Sequence, residues 1–168
     1  SSAASDVYKR QAGTHGKTTT TSMVTEILLA ANTDPTISVG GILPAIGGNL
    51  RLGHSGTFIT EACEYTNSFL SFFPKISIIL NMDADHLDFF KDIDDIRHSF
   101  RRFAELLPAD GTLIINADTP KYEDIIRDLP CNVITYGLEH DADYQAADIT
   151  YDKYGHASFS VPVSYTHL

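Results

Sequence analysis

Apolar positions recur along this chain at two alternating periods, and their order predicts its layers. Residues 18–31 carry Met23, Val24, Ile27, Leu28 and Ala31 at helical spacing, directly after a glycine-rich turn. Residues 93–107 repeat that spacing through Ile93, Ile96, Phe100, Phe103 and Leu107, and Pro108 closes the pattern. Residues 121–129 predict a further helix. Short strand patterns lie between these stretches, at 57–60 (ending at Glu61), 112–115 and 132–136. Residues 76–80 form an apolar run broken only by Ser77, as in a strand buried on both faces of a parallel sheet. Such alternation predicts an α/β fold, a mostly parallel sheet flanked by helices, with its ligand crevice at the C-terminal ends of the strands. After Tyr136 the pattern changes, and 144–150 and 157–161 predict a short antiparallel β segment around a Tyr154-Gly155 turn.

The two ends share neither period. Residues 1–11 are polar and aperiodic, and residues 163–168 break the register of what precedes them. Both have the character of foreign flanks. On this reading the interpretable domain is residues 12–162, incomplete at both ends and without a strand ahead of its glycine-rich turn. The chain's 168 residues suffice for one domain with a real core.

Twelve Lys and Arg stand against twenty-two Asp and Glu, a net charge of −10, which argues against a nucleic-acid partner. No apolar run approaches the length of a bilayer span and no secretory leader pattern is present, so a cytoplasmic protein without a membrane partner is expected. Cys63 and Cys131 stand alone, outside any metal-binding spacing, and are expected to be reduced thiols.

The candidate chemistry begins at Gly13-Thr14-His15-Gly16-Lys17-Thr18-Thr19, immediately before the first helix. Glycines let backbone wrap phosphate oxygens, and a helix N-terminus aims N–H groups at them. In such a P-loop, Lys17 bridges the terminal phosphates and the Thr18 hydroxyl binds Mg²⁺. The full pattern has another glycine at position 11, where this chain has Gln11. The plain alternative is a glycine-rich helix start with an exposed lysine. Glu61, at a strand's end, is a candidate to complete a Mg²⁺ shell, although acidic residues at strand ends are often merely solvated.

The Asn81–Asp88 stretch, with Asp83, Asp85 and His86, follows the buried strand. It offers metal-competent side chains, or else an Asp-rich turn capping a helix. Asn49, after Gly47-Gly48, is a weaker substrate candidate beside the reading as an ordinary turn. Arg97, His98, Arg101 and Arg102 form a basic stripe that reads as a solvated helix face.

In this order, AGTHGKTTTTSM, EACEYTNSFL, NMDADHLDFF and YGLEHDADYQAADI resemble the Mur ligases, the amide-bond ligases of peptidoglycan synthesis. The resemblance covers nearly all of residues 12–161. It implies a three-domain cytoplasmic enzyme whose central, ATP-binding domain is represented by this chain. It also implies ATP and Mg²⁺, with UDP-N-acetylmuramate and L-alanine as the joined substrates. Gly13, Thr14, His15, Gly16, Lys17, Thr18 and Thr19 would hold the phosphates. Thr18 and Glu61 would hold one Mg²⁺ and His86 a second, leaving Lys17, Glu61 and His86 as the catalytic set, and Asn49 would lie near the sugar substrate. The flanking domains and the segment that cradles adenine are not recognisable here, which marks the chain as a fragment expected to be inactive alone. A ligase recycling murein tripeptide is the nearest alternative. A P-loop switch module is a more distant one, and this chain has no guanine-reading NKxD motif.

Overall fold

The computed structural model describes residues 7–63, 65–71, 73–83 and 88–162. Strand β1 (Val7–Ala12) runs into the glycine-rich turn and helix α1 (Lys17–Ala30) leaves it. Strands β2 (Thr36–Leu43), β3 (Gly48–Arg51), β4 (Thr57–Glu61) and β5 (Ile76–Ile79) follow, with 3₁₀ turns at Pro44–Ile46 and Tyr65–Ser71. Then come α2 (Ile93–Ala104), β6 (Thr112–Asn116), α3 (Tyr122–Ile126), β7 (Asn132–Gly137), β8 (Tyr144–Gln145), β9 (Ala147–Tyr151) and β10 (Ala157–Ser160). Strands β1 to β8 form one sheet in the order β3-β2-β4-β1-β5-β6-β7-β8, parallel throughout except for the antiparallel β2–β3 pair. The β9–β10 pair is a separate antiparallel hairpin around Gly155, as expected near the C-terminus.

Strand β1 corrects the expectation that nothing leads into the glycine-rich turn. It lies between β4 and β5 and pairs in parallel with both, from Val7 opposite Thr57 to Ala12 opposite Ile79. A strand paired on both edges satisfies its backbone donors and acceptors whatever its side chains are. The polar sequence Lys9-Arg10-Gln11 therefore hides a strand that periodicity cannot report.

The two faces of the sheet are covered unequally. Register places Ala12, Ile79 and Ile115 on one face, where they pack with Phe69, Ile96, Phe100, Phe103 and Ile125 beneath α2 and α3. On the other face, Ile37, Val39, Leu43 and Ile59 pack against Val24, Leu28 and Leu29 of α1. Because α1 lies over β1, β2 and β4, Ile76, Ile78 and Ile114 beyond it are only half-buried. The 76–80 run is thus not buried on both faces, and Ser77 and Ile79 alone are enclosed. Within α1 the most buried side chains are Thr21 and Thr25, whereas Met23 and Ile27 are 60% and 66% exposed. The helix must start where β1 delivers the loop, and that fixed entry turns its short threonines toward the sheet.

Helix α2 follows its periodicity. Ile96, Phe100 and Phe103 are buried, and the Asp92 carboxylate caps the start by accepting the N–H groups of Asp94 and Asp95 at 3.1 and 3.0 Å. Its basic stripe is structural in part. Arg101 donates to Glu105 and to the Ile125 carbonyl, and Arg97 pairs with Asp94. No helix among the described residues is long and apolar enough to cross a membrane. Cys131 is buried, Cys63 is exposed, and neither is in a disulfide.

Candidate functional site

The neighbouring strands β4, β1 and β5 end side by side, and each delivers a polar group to the same edge. From β1 the chain enters the glycine-rich turn through Gly13 at φ 147°, and it enters α1 through Gly16 at φ 81°. Both conformations suit glycine. Gly13 also lacks room for more, because a Cβ there would lie 3.0 Å from the Leu80 Cβ and 3.2 Å from the Asn81 nitrogen. The first turn of α1 leaves N–H groups without intrahelical acceptors and aims them into this concavity, an anion-binding arrangement. Lys17 folds back along the loop, its Nζ donating to the Gly13 carbonyl at 2.6 Å.

From β4, Glu61 reaches the start of α1. The Thr18 hydroxyl donates to Glu61 Oε2 at 3.2 Å, and the Gly40 N–H of β2 donates to Oε1 at 2.7 Å. Gly40 matters through what it omits, since a Cβ there would stand 2.8 Å from Oε2. A hydroxyl and a carboxylate in contact beside the glycine-rich turn are hard oxygen donors that fit Mg²⁺, which takes few protein ligands and completes its octahedron with water and phosphate. Among the described residues no three His, Cys, Asp or Glu side chains gather as a metal cage.

From β5, the Asn81 side chain grips His15, and the Asp83 N–H donates to Thr14 Oγ1 at 3.0 Å. The His15 imidazole Nε2 lies 3.6 Å from Asp83 Oδ2. The structure therefore brings together Gly13, Thr14, His15, Gly16, Lys17, Thr18, Thr19 and Glu61 of the sequence-based set. His86 lies outside the described residues. Asn49 makes none of these contacts and is exposed on the edge strand β3, which pairs with the β2 strand that carries Gly40. One contributor escapes motif reading, the Gly40 N–H that orients Glu61, its one signal a glycine pair in an unassigned stretch. Asn81 heads a stretch singled out for metal-competent side chains, but its hold on His15 is a role that reading did not give it.

A second polar cluster stands further along the same edge. Asp118, just after β6, accepts the N–H groups of Leu138, Glu139 and His140 at 2.6, 3.1 and 2.9 Å, and its Oδ1 lies 3.0 Å from His140 Nδ1. Burial pushes its carboxyl up, but these donors from Leu138, His140 and Glu139 outweigh burial and hold it down at about 2. A carboxyl lowered in the folded state stabilises the fold above its unfolded value of 3.8, and that contribution disappears as pH falls toward about 2. Urea unfolding between pH 5 and pH 2 is expected to show Asp118→Asn losing less stability than the unaltered chain over this window. The difference should be about 1–2 kcal/mol after allowance for partial solvent exposure. Equal acid sensitivity of the two proteins would remove Asp118 from the account.

With this geometry in place, comparison with known proteins is informative. A family model described as the Mur ligase middle domain matches residues 12–167. Over 162 residues the chain is 62% identical to the UDP-N-acetylmuramate--L-alanine ligase of Lachnospira eligens, covering 94% of this chain and 35% of that protein. The chain spans about a third of the length of such relatives. Among solved structures, the UDP-N-acetylmuramate:L-alanyl-gamma-D-glutamyl-meso-diaminopimelate ligase from Neisseria meningitides aligns with a TM-score of 0.80 at 26% identity, covering 94% of this chain and 52% of that chain. The UDP-N-acetylmuramate-alanine ligase from Thermotoga maritima aligns with a TM-score of 0.73, also at 26% identity, covering 87% of this chain and 32% of that chain.

Proposed function

Because this chain belongs to the Mur ligase middle domain family, we propose that it forms the ATP-binding part of the cytoplasmic ligase that joins L-alanine to UDP-N-acetylmuramate. The 62% identity to a ligase of that name supports the choice of member. The observation that carries the reading is the meeting of the Gly13–Thr19 turn with Glu61 at adjacent strand ends, sealed by the Thr18 to Glu61 hydrogen bond. The proposal includes the foreign origin of residues 1–11, which lie ahead of the family match. On that view the polar strand β1 stands where the parent has a strand of its own.

In the parent enzyme the muramate carboxylate oxygen bonds to the γ-phosphorus of ATP as the bond to ADP breaks. The amine of L-alanine then attacks the resulting acyl phosphate, and inorganic phosphate leaves. The chain's own residues bind and orient. The turn and the first turn of α1 cradle phosphate oxygens, and the Lys17 ammonium offsets charge on the migrating group. Thr18 and Glu61 would hold a Mg²⁺ ion, with His86 as a ligand to a second. The bound metal supplies charge neutralisation.

Calorimetric titration with Mg-ATP, with circular dichroism to confirm folding, tests this. Lys17→Ala is expected to weaken binding by about ten- to a hundredfold, the worth of a charge-assisted hydrogen bond. Unchanged affinity would remove the site. A second reading, ligation of a murein tripeptide, draws on the TM-score of 0.80 to the Neisseria enzyme. The parent's preference between L-alanine and tripeptide, read as muramate-dependent ADP release, separates the two. ADP release that ignores muramate would favour a switch module instead.

A further inference from the structure

The ladder between β1 and β5 continues past the ends of both strands. The Leu80 N–H donates to the Ala12 carbonyl at 3.0 Å, and the Thr14 N–H points to the Asn81 carbonyl at 3.4 Å. Past Thr14 the chain curves toward Gly16 and α1, and its backbone no longer extends the pairing. The Asn81 side chain does so in its place, its Oδ1 accepting the His15 N–H at 2.8 Å and its Nδ2 donating to the His15 carbonyl at 2.9 Å. A primary amide offers the same donor and acceptor as a peptide group, so this contact copies a strand pairing with a side chain. The Asp83 N–H fastens the preceding residue through Thr14 Oγ1. Thr14 and His15 are the two residues between the positive-φ glycines, the part of the turn that neither β1 nor α1 fixes.

From this two-pronged grip we infer that Asn81 is a positioning residue that presets the phosphate loop before nucleotide arrives. The inference rests on the reading of the loop proposed above. A loop that must be ordered on binding gives up affinity for that ordering, and Asn81 removes part of the cost in advance. The grip also engages the His15 N–H, which assigns phosphate contact to the N–H groups nearer the start of α1. Because Asn81 leads directly to Asp83, the same grip ties the phosphate loop to the segment that continues toward His86.

The test is titration of this chain with Mg-ATP, comparing the unaltered protein with Asn81→Ala, Asn81→Asp, Asp143→Ala and Lys17→Ala, each with a thermal melt. Asp143 holds the Thr135 N–H and hydroxyl at 2.8 and 2.9 Å in a comparable clamp on β7, remote from the loop. It therefore controls for the loss of any side-chain clamp. Asn81→Ala is expected to weaken Mg-ATP about tenfold or more, and Asp143→Ala to lower the melting temperature without changing affinity. Amide exchange at His15 should quicken in Asn81→Ala while that at Ile79 and Ile115 stays slow. Asn81→Asp keeps an acceptor for the His15 N–H but sets an oxygen against the His15 carbonyl. It should lose affinity too, and it carries the test if the alanine variant does not fold.

Binding by both Asn81 variants within about twofold of the unaltered chain, with Lys17→Ala impaired, would overturn the inference and leave the phosphate-loop reading standing. A folded, unaltered chain that does not bind Mg-ATP would bring down both.

Discussion

Phe69→Ala is expected to destabilise the chain by about 3–5 kcal/mol, a large part of the 5–15 kcal/mol typical of a native domain. Phe69 is 1% exposed and belongs to the Tyr65–Ser71 turn that follows β4. Its ring stacks on Phe103 with centroids 4.7 Å apart and planes 8° from parallel, and meets Phe100 edge-on at 5.6 Å. Both partners project from α2, so one ring joins the turn after Glu61 to the helix that covers this face. Truncation removes the apolar burial, both aromatic contacts and the filling of the space between them. Two packed helical residues cannot close that gap without moving α2 off the sheet. Urea denaturation should show the midpoint falling with little change in slope, and the melting temperature should drop by about 10 °C. A loss below about 1 kcal/mol would mean that α2 collapses onto the vacancy and that the aromatic cluster does not hold this layer.

The legible and illegible parts of this protein divide by which force fixes each element. Helix α2 is legible because its apolar residues, Ile96, Phe100 and Phe103, are the ones buried. The glycine-rich turn is legible because backbone curvature demands glycine at 13 and 16, whatever surrounds them. Strand β1 is illegible, since Lys9-Arg10-Gln11 carries no apolar alternation and its place is set by pairing on both edges. Strand β2 is hidden for a related reason. Gly40 and Gly41 interrupt its pattern, yet Gly40 is needed so that its N–H, with no Cβ in the way, can orient Glu61. The Asn81 grip is a long-range contact between residues 66 positions apart, which no local pattern contains. The residues of the candidate site were therefore readable as motif positions. The groups that hold those residues in place were readable only from the fold.

Gly13→Ala is expected to abolish detectable Mg-ATP binding, a loss of about a hundredfold or more, because strain and collision act on the loop together. Its φ of 147° lies where side-chain-bearing residues are strained by about 1–3 kcal/mol. The added Cβ would also press on the Leu80 Cβ at 3.0 Å and on the Asn81 nitrogen and oxygen at 3.2 and 3.3 Å. Two of these three atoms are main chain at the end of β5 and cannot swing aside, so the turn itself must shift. A shifted turn breaks the register by which Asn81 holds His15 and misaligns the N–H groups of α1. Gly47→Ala separates strain from collision. Its φ of 66° is also positive, but nothing lies within 4 Å of its added Cβ, and it sits in the β2–β3 turn away from the loop. It should lose about 1 kcal/mol of stability and keep its affinity. Melting curves and titrations on both variants check this, and Gly13→Ala retaining affinity within about twofold would show that nucleotide is held elsewhere than at this turn.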